Sequence, residues 1–344
     1  MRGFGFSEHG DYDRLGFVDV PEPEPGPGEV RVRLRAAAFN RLDRFTLAGI
    51  PGVPIELPHV LGSDGAGVVD RIGDDVGSIR PGARVLLNPG LWDGTCDACR
   101  AGEEELCRNY RIVGEHTQGT ATTFVVVPQR NVHPLSERLS FAEGAAAPLV
   151  FQTAWRALRT VGAVSTGDRV AIVGAGGGVP TAAVQVAKVL GARVAVVSRS
   201  REKAERTRAL GADAALVYDA ENPLDRVLWQ WSDKRGVDVI LDSVGAPTLA
   251  RSVRSLGRGG RVVVIGATAG PMVELDVRTL FWRQGSIRGS TMANAREFED
   301  VMEELARGRV RPVVDSVTPL ERAGEAFRRF DAPDLFGKLV VEIP

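Results

Sequence analysis

Three cysteines lie close together in a polar, glycine-containing stretch of the chain, and they are the only cysteines in the sequence. Cys96 and Cys99 form a Cys-x-x-Cys pair, and Cys107 follows them. Thiolates at this spacing suit tetrahedral zinc, which needs a fourth ligand, and the carboxylate of Asp93 stands just before Cys96. The pattern predicts one closed, structural zinc site per chain, built from Asp93, Cys96, Cys99 and Cys107. Two alternatives stay open: a metal-free loop with reduced thiols, and a redox-active Cys-x-x-Cys pair.

A glycine-rich turn, Gly174–Gly178, is the second group of residues suited to chemistry. It follows the apolar run Val170–Val173 and precedes a helical pattern that Gly191 ends, and a second apolar run, 194–197, comes next. This order predicts a strand, a turn, a helix and a strand. Glycines let the backbone approach a pyrophosphate, and the helix N-terminus favours its negative charge. We therefore predict a dinucleotide site that includes Gly174, Gly177, Gly178 and Val179.

Two details of this segment bear on the coenzyme. Pro180 replaces the usual last glycine of the fingerprint; proline is tolerated in a first helical turn, but it removes one amide donor. The second strand ends at Ser198 and Arg199, where an NAD-binding fold usually carries an acidic residue for the ribose 2′-hydroxyl. A guanidinium suits a 2′-phosphate instead, so the sequence predicts NADPH. The alternative is an ordinary helix start, with Ser200 as N-cap and Arg199 as a solvated charge.

Length and charge limit the classes of protein that fit. A chain of 344 residues is expected to form two domains. Its 43 basic and 44 acidic residues nearly balance, so nothing favours a nucleic acid or a membrane surface as partner. No run approaches the ~20 apolar residues of a membrane span, and no signal sequence or secreted disulfide framework is evident. We expect a cytoplasmic protein that acts on a small molecule.

The elements that must position these residues fall into two groups. Short strands separated by Gly, Pro and Asp predict a β-rich domain at 1–148, joined by 293–344, whose last strand returns to it. From 149 to 292 strands and helices alternate, which predicts an α/β domain with a doubly wound parallel sheet. Core packing is the expectation for the aromatic residues Phe281 and Trp282, and lining of a substrate pocket is the alternative. The strands of this domain are expected at 170–173, 194–197, 214–217, 237–241, 261–265 and 286–288.

Across nearly its whole length the sequence resembles the medium-chain dehydrogenase/reductase superfamily. The motifs that carry the resemblance are Pro23 to Val30, Asn40-x-x-Asp43, Gly62 to Gly67, Pro81 to Val85, the cysteine segment, Gly174 to Val179 and Phe336-Gly-Lys338. The resemblance implies a GroES-like catalytic domain, a Rossmann coenzyme domain, an active site between them and hydride transfer with a nicotinamide. It also implies that Asp93 replaces the first of four cysteine ligands. Further coenzyme contacts are implied at Thr153, Lys203, Tyr218, Val244, Gly266 and Lys338.

The catalytic zinc of the family's alcohol dehydrogenases is not expected here. The positions of its ligands in those relatives correspond to Asn40, Ser63 and Phe151, which do not supply three good ligands, and Asp64 alone cannot hold a metal. The Asn-x-x-Asp pattern is similar to the zinc-free quinone oxidoreductase branch, in which the asparagine lies near nicotinamide and substrate. We therefore predict Asn40 as a catalytic residue, with Arg41 or His116 as possible proton donors.

The favoured function is NADPH-dependent reduction of a quinone or a carbonyl-conjugated double bond without a catalytic zinc. One alternative is an alcohol or aldehyde dehydrogenase with a rebuilt polar site, and another is a non-catalytic nucleotide-binding regulatory protein. The resemblance also implies a homodimer, formed through the last strands of the coenzyme domain around 260–270 and 286–289.

Overall fold

The computed structural model describes every residue from Met1 to Pro344, and the chain divides into two compact units. The first unit comprises Met1–Leu149, Asn294–Ala306 and Arg311–Pro344. The second comprises Val150–Ala293 and Arg307–Val310. The predicted boundaries, 1–148 with 293–344 and 149–292, differ from these units by one residue at each main junction and in the short segment Arg307–Val310.

The strands are β1 (Arg2–Phe6), β2 (Gly16–Asp19), β3 (Glu29–Phe39), β4 (His59–Val60), β5 (Asp64–Ile72), β6 (Arg84–Leu87), β7 (Gly90–Leu91), β8 (Arg111–Ile112), β9 (Phe124–Pro128), β10 (Val132–Pro134), β11 (Arg169–Val173), β12 (Arg193–Ser198), β13 (Ala214–Val217), β14 (Val237–Asp242), β15 (Leu256–Val264), β16 (Ser286–Gly289), β17 (Val314–Pro319) and β18 (Lys338–Glu342).

The α-helices are α1 (Arg41–Ala48), α2 (Asp97–Arg100), α3 (Phe141–Ala146), α4 (Pro148–Trp155), α5 (Gly178–Val189), α6 (Arg201–Arg206), α7 (Leu224–Trp231), α8 (Leu249–Ser255), α9 (Val277–Trp282), α10 (Ala295–Ala306) and α11 (Ala323–Arg328). A π-helical turn, Arg156–Val161, continues α4. Single 3-10 turns lie at Tyr12–Arg14, Glu104–Leu106, Gln129–Asn131, Thr207–Leu210, Leu320–Arg322 and Arg329–Asp331.

The first unit is built on a sheet in the order β10-β6-β5-β3-β18-β17, with β9 also pairing with β3. β3 is the centre of this sheet, because it pairs antiparallel with β5, β9 and β18. A smaller sheet has the order β2-β1-β4, and β7 pairs with β8. Aromatic rings pack between these layers, with Phe39 and Phe327 edge to face at 5.2 Å between centroids. The last strand, β18, therefore joins the first domain, as predicted.

The second unit is a six-stranded parallel sheet in the order β13-β12-β11-β14-β15-β16. The order reverses at β11, which pairs with both β12 and β14, so this is the predicted doubly wound sheet. Its central strands are buried on both faces, and their sequences are continuous apolar runs for that reason. All six predicted strands are present. None of the helices has the length and apolar character needed to cross a membrane.

The predicted strand–turn–helix segment is also present. Gly174 has a φ of +99°, which favours glycine, and its amide donates to the carbonyl of Val197. Gly177 is the N-cap of α5, so Pro180 lies in the first turn, where it removes no intrahelical hydrogen bond. Helix α5 buries the small face that includes Ala183 and Ala187.

The expectation that Phe281 and Trp282 pack in a core is wrong. The two aromatic residues lie at the end of α9 with exposed fractions of 63% and 71%. A hydrophobic pattern alone does not distinguish a core face from a surface patch.

Candidate active site

Three side chains from neighbouring strands form a buried polar network in the first unit. Asn40 directly follows β3, Asp64 begins β5 and Lys338 begins β18. The register of the sheet brings them together, because Ala38 lies opposite Asp64 and Phe39 lies opposite the residue after Lys338. The exposed fractions of Asn40, Asp64 and Lys338 are 6%, 0% and 3%.

The hydrogen bonds of this network are short. Lys338 Nζ donates to Asn40 Oδ1 at 2.5 Å and to Asp64 Oδ2 at 2.8 Å, and Asn40 Nδ2 donates to Asp64 Oδ2 at 2.9 Å. The other carboxylate oxygen, Asp64 Oδ1, accepts the amide of Leu149 at 2.8 Å. Lys338 and Asp64 therefore neutralise each other, and the Asn40 amide is fixed at both ends. The ammonium group of Lys338, which was predicted to contact the coenzyme, thus bonds to Asn40 and Asp64.

Asp43 holds the backbone around the network in place. It lies fully buried in the first turn of α1 and accepts the amide of Asn40 at 2.6 Å and the amide of Gly62 at 2.7 Å. Burial raises the pKa of Asp43 to about 7, although the two amide donors oppose that change. Asp43 thus ties the start of α1 to the segment that carries Ser63 and Asp64.

The residues at the positions that correspond to the catalytic zinc ligands of alcohol dehydrogenases do not fit a metal. Asn40 and Asp64 already bond to each other and to Lys338, and Ser63 offers a hydroxyl, which is a poor zinc ligand. Phe151 is a buried apolar residue of the second unit. The first unit therefore offers no three-ligand catalytic zinc site at these residues.

His116 lies in a tight loop after β8. Its Nδ1 accepts the amide of Ile112 at 3.2 Å, so Nε2 carries the ring proton in the neutral form. Burial, together with the charge of Arg111, lowers the pKa of His116. The residue before it, Glu115, has an exposed fraction of 7%, and burial followed by the charge of Asp43 raises its pKa to about 7. Sequence reasoning missed Glu115, because no local signal separates a buried glutamate from an exposed one.

The third predicted catalytic residue, Arg41, does not join the buried network. It is exposed at the start of α1, and its guanidinium lies 6.0 Å from the centroid of the Phe330 ring. The structure thus brings Asn40 into a polar cluster with Asp64 and Lys338 and leaves Arg41 at the surface.

The four predicted zinc ligands do converge. One ligand atom from each of Asp93, Cys96, Cys99 and Cys107 lies within 4.8 Å of the others, and the three cysteines are free thiols. Such spacing fits tetrahedral zinc with Zn–S distances of about 2.3 Å. Backbone hydrogen bonds from Thr95 and Cys96 lower the pKa of Asp93, so it is ionised as a metal ligand must be.

The lobe that carries these four residues, 93–107, is hydrogen-bonded to the start of helix α10. Asn294 Nδ2 donates to the carbonyl of Gly102 at 3.0 Å, and the amide of Ala295 donates to Glu104 at 3.1 Å. The lobe therefore supports the N-terminus of α10.

The predicted coenzyme residues of the second unit lie beyond the carboxyl ends of its strands, where ligands of open α/β sheets bind. Gly174, Gly177, Gly178 and Val179 follow β11, Ser198 ends β12 and Arg199 follows it, Tyr218 follows β13, Val244 follows β14 and Gly266 follows β15. Lys203 lies in α6 and Thr153 in α4.

The groups around the end of β12 form one small surface. Arg199 is exposed, and its charge acts on the half-buried Tyr218, whose pKa is raised chiefly by burial. Ser200 is the N-cap of α6, because its hydroxyl accepts a hydrogen bond from the amide of Lys203 at 3.3 Å. The helix cap and the exposed Arg199 guanidinium are therefore present side by side. Asp242 is the last residue of β14, on the other side of β11 from β12. It orients the loop after β14 by accepting hydrogen bonds from the amides of Val244 and Gly245.

Comparison with known proteins identifies the family. Residues 26–137 match the model of the alcohol dehydrogenase GroES-like domain, and residues 178–307 match that of the zinc-binding dehydrogenase. The predicted GroES-like and Rossmann domains are thereby confirmed.

Individual relatives span several chemistries. A crystal structure of an NAD-dependent alcohol dehydrogenase is 40% identical, with a TM-score of 0.95 and 100% coverage of both chains. An acryloyl-coenzyme A reductase of Metallosphaera sedula is 31% identical over 83% of this chain and 84% of its own. A quinone oxidoreductase of Mus musculus is 29% identical over 85% of this chain and 82% of its own. The chain therefore belongs to the medium-chain dehydrogenase/reductase superfamily of alcohol dehydrogenase-like oxidoreductases.

Proposed function

We propose that this oxidoreductase uses NADPH to reduce a carbonyl-conjugated double bond or a quinone, and that it does so without a catalytic zinc. The observation that carries the proposal is the buried network of Asn40, Asp64 and Lys338. In this network Asn40, which occupies one of the positions from which zinc-dependent relatives would draw ligands, is hydrogen-bonded to Asp64 and Lys338.

The reaction follows from what this network can and cannot do. Alcohol oxidation in this family relies on a metal that stabilises the alkoxide, and nothing here replaces it. Reduction of an activated double bond needs less, because the conjugated carbonyl accepts the electron pair. When bound, NADPH supplies the hydride. The protein must then hold the substrate and stabilise the negative charge on its oxygen.

Asn40 is suited to that task. Its Nδ2 carries two N–H donors, of which one is used by Asp64, so the second remains for a substrate oxygen. Because Lys338 and Asp64 fix both ends of the amide, this donor needs no reorganisation when charge develops. His116 and Arg41 stay candidate proton donors.

The preference for NADPH rests on the surface at the end of β12. Ser198 and Arg199 occupy the place of an acidic residue, and no hydrogen bond or ion pair within the chain engages the Arg199 guanidinium, which leaves it free for a 2′-phosphate. Lys203 and Tyr218 lie beside it. The similar crystal structure is that of an NAD-dependent enzyme, so we propose that coenzyme choice is a point of difference.

A second candidate function is alcohol oxidation, which the 40% identity to an alcohol dehydrogenase favours. One experiment separates the two. The purified protein is treated with a chelator and assayed with NADPH or NADH against enones, quinones and aldehydes, and with the oxidised coenzymes against alcohols. We expect chelator-resistant reduction of enones or quinones. Chelator-sensitive alcohol oxidation with no enone or quinone reduction would show that the proposal is wrong.

We also propose that the lobe at residues 93–107 holds one structural zinc and that the enzyme is a cytoplasmic homodimer. The three free thiols fit a reducing compartment. The zinc would contribute to folding and would take no part in hydride transfer.

A further inference from the structure

Two buried polar atoms in the first unit have no hydrogen-bond partner within the chain: Glu115 Oε2 and Ser63 Oγ. The exposed fractions of the two residues are 7% and 0%. Buried polar groups are nearly always paired, so an unpaired donor and acceptor in neighbouring segments require an explanation. Neither residue has been given a role in the site described above.

Close backbone packing brings the two segments together. Gly114 has a φ of +78°, and a Cβ atom at this position would lie 2.3 Å from the carbonyl oxygen of Gly62 and 3.1 Å from the amide nitrogen of Ser63. The amide of Thr120 also donates to the carbonyl of Gly62 at 2.9 Å. The loop that carries Glu115 therefore lies directly against the segment that carries Ser63.

The loop is held in one conformation. His59 Nε2 lies 3.1 Å from the carbonyl oxygen of Gly114, and the amides of Glu115 and His116 both donate to the carbonyl of Ile112. Glu115 Oε1 lies 3.7 Å from His116 Nδ1, but that nitrogen already accepts the amide of Ile112. The backbone of Glu115 is thus fixed by its loop, whereas Oε2 of its carboxyl group has no hydrogen-bond partner within the chain.

The surroundings favour the protonated acid. The titratable and charged groups around this part of the unit include Asp43 of α1, Asp64 of β5, His59 of β4 and His116 of the same loop, together with the cations Arg111 of β8 and Lys338 of β18. Burial and the charge of Asp43 raise the pKa of Glu115 to about 7, and burial lowers the pKa values of His59 and His116. A neutral carboxylic acid has an O–H donor, and the chain supplies no acceptor for it.

We propose that Glu115 is a catalytic residue whose carboxylic acid donates the proton to the substrate oxygen, while the Ser63 hydroxyl holds that oxygen beside it. The inference rests on the reductase function proposed above. Hydride addition places two electrons on the substrate and a negative charge on its oxygen. The O–H bond of Glu115 then breaks, a new O–H bond forms at that oxygen, and the Glu115 carboxylate regains a proton from water. The enol formed from an enone tautomerises to the saturated ketone, and a quinone yields the hydroquinone.

The other candidate donors are weaker acids. His116 is neutral, because burial lowers its pKa, and a neutral imidazole does not readily give up its remaining proton. Arg41 is exposed and its guanidinium keeps its proton in proteins. Glu115 is the buried acid that titrates near neutral pH and has an unpaired oxygen.

The test compares Glu115→Gln, Glu115→Asp and Ser63→Ala with the wild type and with Glu299→Gln. Glu299 is an exposed residue of α10, so Glu299→Gln makes the same exchange of a carboxyl group for an amide outside the site. Rates of enone or quinone reduction are measured from about pH 5 to about pH 9, and infrared spectra of the coenzyme-free proteins report the C=O band of a protonated carboxylic acid. Thermal unfolding checks that each variant is folded.

We expect Glu115→Gln to lower kcat at least about 100-fold, to leave the KM for NADPH unchanged and to remove the fall in kcat above neutral pH. Glu115→Asp should restore part of the activity, Ser63→Ala should raise the substrate KM, and Glu299→Gln should behave as the wild type. Glu115→Gln should lose one carboxylic C=O contribution that the wild type shows, while the contribution of Asp43 stays in both proteins. If the wild type reduces neither enones nor quinones, the proposed function is wrong and this role of Glu115 is lost with it. Two results would overturn the role of Glu115 and leave the proposed function standing. One is an active Glu115→Gln variant with an unchanged pH profile, and the other is an infrared spectrum that this substitution does not change.

Discussion

At the scale of single residues, the Asn40 amide is the most informative group. Both of its ends contact buried charged groups, Lys338 and Asp64, so its removal affects both chemistry and stability. We expect Asn40→Ala to lower turnover by at least about 10-fold and to reduce the free energy of unfolding by about 1–3 kcal/mol, with the protein still folded. Turnover assays and urea unfolding measure the two effects. Normal turnover with reduced stability would show that Asn40 only fixes its loop.

Lys338→Met should affect stability more strongly than Asn40→Ala does. It leaves Asp64 as an uncompensated buried carboxylate, so the free energy of unfolding should fall by about 3–5 kcal/mol. Adding Asp64→Asn to the same protein should recover much of that loss, because no unpaired charge then remains. Urea unfolding of the single and double variants checks this, and equal stability of the two would contradict the pairing.

Arg199 sets the expected coenzyme preference. Arg199→Ala should raise the KM for NADPH by a factor that corresponds to about 1–3 kcal/mol and leave the KM for NADH nearly unchanged. Arg193→Ala is the matched control, because Arg193 lies at the opposite end of β12, and its guanidinium faces Asp233 at 3.8 Å. An enzyme that prefers NADH from the outset would refute the assignment.

Two buried carboxyls make stability depend on pH. Glu115 titrates near 4.5 in the unfolded chain and at about 7 in the folded protein, so the folded state binds its proton more tightly. The stabilisation is complete below about pH 4.5 and is lost as the pH rises through about 7, a change of roughly 3 kcal/mol at about 1.4 kcal/mol per pKa unit. Asp43 acts in the same direction. Urea unfolding at several pH values should show this decline, and Glu115→Gln should flatten it.

At the scale of elements, the lobe at residues 93–107 carries the candidate zinc site. We expect one zinc per chain by metal analysis and a lower melting temperature after its removal, because the lobe supports the start of α10. Asp93→Cys should keep the zinc, since thiolate is a good ligand, whereas Asp93→Ala should weaken its binding. Two zincs per chain, or none after gentle purification, would show that one of the sites is misinterpreted.

Sequence reasoning succeeded where an element carries its own signal. The parallel strands of the second unit are buried on both faces, so their continuous apolar runs indicate strands from the sequence alone. The signal for β3 is incomplete: the alternation of apolar and basic residues that indicates a strand covers only Val30–Leu34, whereas the observed strand is Glu29–Phe39. The missing part is a run of alanines whose strand character comes from pairing with β5 and β18.

The candidate site was predictable only in part. The sequence led to Asn40 and to the cluster of Asp93, Cys96, Cys99 and Cys107, because their residue types and spacing are local features. The partnership of Asn40 with Lys338 was not found, because it joins residues 298 positions apart. Glu115 was overlooked beside His116. Its distinguishing property is a pKa raised by burial, and burial cannot be inferred from the residue type.

At the scale of the whole molecule, one edge of the second unit is incompletely covered. β16 is the edge strand of its sheet, and Met272, Val277, Phe281 and Trp282 are all more than 60% exposed nearby in the chain. We expect a homodimer that buries these residues and extends the sheet across a two-fold axis. Light scattering should give twice the mass of the chain, and Trp282→Glu should shift it to a monomer. Val317→Glu, at another exposed apolar residue, should leave the dimer intact.

The position of Lys338 in the sequence has a consequence for synthesis on the ribosome. Asn40 and Asp64 emerge early, but the ammonium that neutralises Asp64 follows Asn40 by 298 residues, about 15–60 s later at about 5–20 residues per second. During that interval the edge of β3 that pairs with β18 also lacks its partner. The second unit lies entirely between β3 and β18 in the sequence, so it can fold first, while the nascent first unit keeps an open strand edge and an uncompensated carboxylate until β18 is synthesised.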